Sequence, residues 1–75
     1  MNENEKTLVS FDQLITLLNE TLRHDPAYRQ GMTYIGDRNG YHFVFSDGTT
    51  EGNLEERLLD TKIETQVLSQ YKIAR

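Results

Sequence analysis

The sequence predicts a small single α+β domain, ordered helix, short helix, antiparallel β-hairpin or three-stranded meander, helix. Three observations predict it. Phe11, Leu14, Ile15, Leu18 and Leu22 recur at three- and four-residue intervals, the period of an amphipathic helix. Asn39-Gly40 and Asp47-Gly48 sit among aromatic and β-branched residues, and both dipeptides tolerate the positive φ of tight hairpin turns. Leu54, Leu58 and Leu59 then open a second apolar face behind Asn53.

Residues 1–9 are polar and acidic at the start and are expected to be flexible, with Leu8 and Val9 available for packing. The domain proper is expected over residues 10–75. Ser10 and Gln13 have capping-box spacing, so the first helix starts at Ser10. It should stop near His24, because Asp25 precedes Pro26 and a residue before proline disfavours the α region. Asp25-Pro26 then suits the cap and first position of a short second helix, and Gly31 suits its end.

A two-residue loop at Asn39-Gly40 would pair Arg38 with Tyr41, Gly36 with Phe43 and Tyr34 with Phe45. Side chains alternate across a strand, so Tyr34, Phe43 and Phe45 share the face expected in the core. Asp37, His42, Ile35, Val44, Thr33 and Ser46 share the other. Asp47-Gly48 would turn the chain into an edge segment, Thr49-Thr50-Glu51. The glycines at 36 and 52 would weaken the outer strands or mark bulges. Asn53 reads as the N-cap of the last helix, and Glu55 and Glu56 place favourable charge in its first turn. Leu54, Leu58 and Ile63 are expected to pack on the sheet, opposite Phe11, Leu14, Ile15 and Leu18. Beyond Asp60 two periods coexist. Leu59, Ile63, Val67 and Tyr71 recur every fourth residue. Ile63, Thr65, Val67, Ser69, Tyr71 and Ile73 recur every second. Helix to about Ser69 is preferred, with a strand from Ile63 to Ile73 as the alternative.

A chain of 75 residues without cysteine has little core and no disulfide or thiolate site to reinforce it. Its net charge of −4 opposes nonspecific attraction to phosphate backbones and anionic lipid. No apolar run is long enough to span a membrane, and the polar start is unlike a targeting peptide, so a cytoplasmic location is expected.

Few residues carry chemistry. Asp37 and His42 face each other across the expected hairpin, as in general-base pairs. Ser46 shares that face but lies roughly 13 Å along the strand, too far for a triad. His24 and Asp25 read as a helix end and a cap. Two histidines do not make a metal set. The glycines fall in turns, with no phosphate-cradling pattern. Tyr34, Tyr41, Phe43 and Phe45 lack the basic company of an RNA-stacking sheet and read as core. No catalytic residue, metal or cofactor is expected.

Two features point outward. Glu51, Glu55, Glu56 and Asp60 form an acidic cluster suited to a basic protein surface. Val67, Leu68, Tyr71 and Ile73 supply apolar surface that a core this small does not need, which suggests self-association through the C-terminal segment. The expected partner-binding set is therefore Glu51, Glu55, Glu56, Asp60, Tyr71 and Ile73. The expected function is a non-enzymatic interaction module: a modulator, inhibitor or accessory protein acting through a protein partner. The alternatives are a nucleic-acid-associated regulator and a small hydrolase built on Asp37 and His42.

Overall fold

A computed structural model describes residues 6–49 and 54–74. The elements are β1 (Thr7–Val9), α1 (Phe11–Arg23), β2 (Thr33–Asp37), β3 (Gly40–Val44), α2 (Leu54–Leu68) and β4 (Tyr71–Ile73). This is an α+β domain of two helices, an antiparallel hairpin and a parallel strand pair.

The helix α1 begins as its sequence requires. Ser10 Oγ accepts from the Gln13 N–H at 3.1 Å, and Gln13 Oε1 accepts from the Ser10 N–H at 2.9 Å. Two donors that a helix start leaves orphaned are thus satisfied reciprocally. Leu14, Leu18 and Leu22 are fully buried, and His24 is the C-cap. The expected short helix is a single turn instead. Asp25 Oδ1 accepts from the Ala27 N–H at 2.8 Å, and the Tyr28 N–H reaches the Asp25 carbonyl at 3.0 Å. Asp25 and Pro26 start a turn that nothing propagates, since a nucleated turn needs several further residues to hold it.

Strands β2 and β3 pair Asp37 with Gly40, Gly36 with Tyr41, Ile35 with His42, Tyr34 with Phe43 and Thr33 with Val44. The expected register placed the loop one residue later. Gly40 has φ +129 and no non-glycine residue among the described ones has positive φ, so Asn39 does not enter the left-handed region a type I′ turn requires. The loop is Arg38-Asn39, and Asp37 Oδ1 holds it by accepting from the Asn39 N–H at 2.8 Å. Moving a loop by one residue shifts cross-strand partners by two, and a shift of two preserves the faces. Tyr34, Phe43 and Phe45 are accordingly buried as expected, with ring centroids 5.0 Å apart for Tyr34 and Phe43 and 4.8 Å for Phe43 and Phe45. A Cβ at Gly36 would lie 2.6 Å from the Phe11 ring. Glycine at that position permits close approach of α1, and the strand is regular there.

The free edge of β2 is closed by a side chain. Asn19 of α1 accepts from the Tyr34 N–H at 2.7 Å and donates to the Tyr34 carbonyl at 3.0 Å. One amide thus stands in for a strand neighbour. Asp47-Gly48 turns the chain as expected, with the Phe45 N–H donating to the Thr49 carbonyl at 2.8 Å. Thr50 and Glu51, most of the expected third strand, lie outside the described residues, as do Gly52 and the expected cap Asn53.

Helix α2 runs to Leu68 and buries Glu56, Leu59, Ile63 and Val67. Leu54 and Leu58, expected in the core, are 70% and 61% exposed. The four-residue recurrence from Leu59 defines the inner face, and it turns the two earlier leucines outward. Only Tyr71–Ile73 of the alternative C-terminal strand forms. It pairs parallel with Thr7–Val9, with Thr7 opposite Tyr71 and Val9 opposite Ile73. Residues 7–9, expected in a flexible start, are therefore strand, and Val9 joins the core. A parallel pair needs a long crossover, and the whole of the intervening chain supplies it.

Candidate functional site

The inner edge of α2 carries three carboxylates at four-residue spacing, Glu56, Asp60 and Glu64, and the sheet side meets each of them with neutral donors. Glu56 is 5% exposed. Its carboxylate accepts from the Ser46 N–H at 2.9 Å and the Ser46 hydroxyl at 2.8 Å, with the Arg29 guanidinium at 3.8 Å. The Tyr34 hydroxyl donates to Asp60 Oδ1 at 2.8 Å. Burial holds the Asp60 carboxyl above the usual carboxylate range, against the lowering effect of that hydrogen bond. Burial first, and then Asp60, push the Tyr34 hydroxyl well above the ordinary tyrosine range. The Tyr41 hydroxyl is raised by burial and by the neighbouring Glu64 carboxylate.

The expected acidic cluster is thus divided. Glu56 and Asp60 anchor α2 to the hairpin and the segment leaving it, so their carboxylates are engaged within the chain. Their i, i+4 spacing would have allowed this reading, but the hydroxyls that meet them lie 10 and 26 residues away in sequence. Glu55 faces solvent, 3.5 Å from Arg29. Glu51 lies outside the described residues. On the other flank, Lys62 Nζ donates to Asp25 Oδ2 at 2.8 Å, tying α2 to the turn after α1. That bond, with the Ala27 N–H, holds the Asp25 carboxyl below its ordinary range.

Tyr71 and Ile73 are placed in β4 and are paired within the chain. Tyr71 packs partly on the core, and Ile73 is 40% exposed. With Leu8 and Leu68 they line an open depression of about 690 Å³ that also includes Lys6 and Lys72.

Asp37 and His42 meet at 3.1 Å on the exposed face of the hairpin, diagonally rather than directly opposite. Ser46 is engaged by Glu56, so it does not complete a triad with them. His24 Nδ1 lies 2.7 Å from the Glu20 carbonyl, a local helix-end contact. Among the described residues no group of three His, Cys, Asp or Glu is arranged to hold a metal ion. No helix among them is long and apolar enough to cross a membrane.

The most distinctive surface includes Leu54 and Leu58, two residues expected in the core. At about 100° per residue, Leu54, Leu58, Thr61, Thr65 and Leu68 fall within a sector of roughly 80° on α2, opposite Leu59, Ile63 and Val67. Every member of this outer stripe is exposed. The Thr61 hydroxyl donates to the Arg57 carbonyl at 3.1 Å, so its polar group is already used by the helix backbone. The alternating four- and three-residue spacing from Leu54 to Leu68 was readable in the sequence as a second stripe beside the first.

Comparisons with protein-family models, curated proteins and solved structures find no match.

Proposed function

We propose that the protein is a non-enzymatic interaction module that docks a protein partner on the outer face of α2. One observation carries this reading: α2 bears apolar side chains on two opposite faces, and the described residues cover only one of them. A helix whose sole task is to cover a core presents a polar outer face. Leucines at four-residue spacing on an exposed helix suit packing against another protein's apolar surface.

The electrostatic part of the interaction is smaller than composition suggests, because Glu56 and Asp60 already have partners inside the chain. Apolar contact should therefore dominate, and binding should persist at high salt. The test is capture from cell lysate with the parent protein and with the Leu54→Ser, Leu58→Ser double variant. A partner retained by the parent in high salt and lost by the variant supports the reading. Capture that is indifferent to the two leucines contradicts it.

A further inference from the structure

We infer that the partner of this face is a second copy of the same chain, with the two α2 helices packed antiparallel about a two-fold axis. The inference rests on the docking reading above and adds the identity of the occupant. A two-fold contact brings the same patch together from both copies, so the patch must complement itself. The outer stripe meets that condition in both its apolar residues and its charges.

Leu54, Thr61 and Leu68 are spaced by seven residues, and so are Leu58 and Thr65. Together they occupy the two seam positions of a heptad repeat. Arg57 and Glu64 flank the seam on one side, and Glu55 and Lys62 flank it on the other. When two such helices run antiparallel, like flanks meet. With Leu58 layered on Thr61 of the second copy and Leu54 on Thr65, Arg57 meets Glu64 and Glu55 meets Lys62. The axis repeats each pair, so the flanking contacts join opposite charges. Lys62 already holds Asp25 and Glu55 already lies 3.5 Å from Arg29 within each chain. The match is therefore carried by the two Arg57–Glu64 contacts, with Glu64 at the border between the Tyr41 side and the seam.

Other arrangements lose this match. Sliding the antiparallel pair by one heptad brings Glu64 against Glu64 and Lys62 against Lys62. A parallel pair brings Arg57 against Lys62. Like charges brought together select against those arrangements. Arg57 is exposed and makes no ion pair within the described residues, so it is available for this contact. The leucine–threonine layers are small, so the dimer should be weak and concentration-dependent.

The test is solution mass of the full chain by sedimentation over a concentration series. The samples are the parent, Arg57→Glu, Glu64→Arg and an equimolar mixture of the two variants. The parent mass should rise from that of one chain, 8.7 kDa, toward twice that value. Each reversal alone places two like-charged pairs at the contact and should weaken association at least tenfold. Mixing them restores opposite charges at both sites and should recover association. Circular dichroism establishes that each variant is folded. Thr61→Leu supplies an independent arm, since it enlarges the seam at an exposed position and should tighten association at least threefold. A parent that stays monomeric to millimolar concentration overturns self-pairing. Loss of lysate capture in the leucine variant would then still support docking to a different protein. A dimer that is indifferent to both reversals and to Thr61→Leu also overturns the inference.

Discussion

Glu56 accepts two hydrogen bonds from one residue, Ser46, at 2.9 Å from its backbone N–H and 2.8 Å from its hydroxyl. This pair locks α2 to the segment leaving the hairpin. Removing the carboxylate would leave a part-buried backbone donor and hydroxyl without their acceptor, so Glu56→Ala should cost about 1–3 kcal/mol. Glu56→Gln keeps one acceptor and should cost less. Urea denaturation of the two variants checks the order.

Asn19 plays a matching part on the other side of the hairpin. Its amide satisfies both backbone groups of Tyr34. Asn19→Ala should therefore destabilise by about 1–3 kcal/mol and speed exchange of the Tyr34 amide hydrogen before that of its neighbours. Unchanged Tyr34 protection would show that the edge is closed by something else.

Asp60 and Asp25 respond to pH in opposite directions. The Asp60 carboxyl titrates above its unfolded value, so the folded chain binds more protons than the unfolded one between the two values. Its contribution to stability therefore falls as pH rises from about 4 through the folded value. The Asp25 carboxyl titrates below its unfolded value, so its contribution is present above about pH 4 and is lost on acidification. Asp60→Asn keeps an acceptor for Tyr34 without the buried charge. Its stability relative to the parent should be greater at pH 7 than at pH 3. Asp25→Asn should show the reverse. Thermal melts at the two pH values read both signs.

Gly36 faces the Phe11 ring with no room for a Cβ, which would approach to 2.6 Å. Gly36→Ala should cost about 1–3 kcal/mol through overpacking, despite alanine's lower unfolded-state entropy. A stabilised variant would mean that α1 can withdraw from the hairpin freely.

The two faces of α2 give a direct internal contrast. Leu59→Ala empties a core position and should cost about 2–5 kcal/mol. Leu58→Ser, one residue away on the outer face, should change monomer stability by no more than about 0.5 kcal/mol. Denaturation at low protein concentration, where association is absent, checks both values.

How much the sequence disclosed depends on the range of the forces involved. The α1 cap, its end at His24 and the burial of Tyr34, Phe43 and Phe45 follow from local patterns and were legible. The hairpin register was displaced because Asn-Gly chemistry suggested a type I′ loop, whereas Asp37 stabilises a loop one residue earlier. The β1–β4 pair joins segments more than 60 residues apart, and three-residue strands leave almost no period to detect. The acidic cluster was visible as charge, but its inward half depends on hydroxyls from Tyr34 and Ser46. The outer stripe was present as a period and was obscured by the expectation that Leu54 and Leu58 pack inside, although Leu68 was already expected outside the core.

The central claim is that the outer face of α2 packs against the same face of a second copy of the chain. The measurement that tests it most directly is a residue-resolved amide NMR spectrum followed through a concentration series of the parent protein. The account predicts that the concentration-dependent shifts gather at Leu54, Arg57, Leu58, Thr61, Glu64 and Thr65. It predicts that Leu8 and Ile73 at the paired ends, and Asp37 and His42 on the hairpin, stay still. Shifts centred on Leu8 and Ile73, or no shifts on α2 at any concentration, would contradict it.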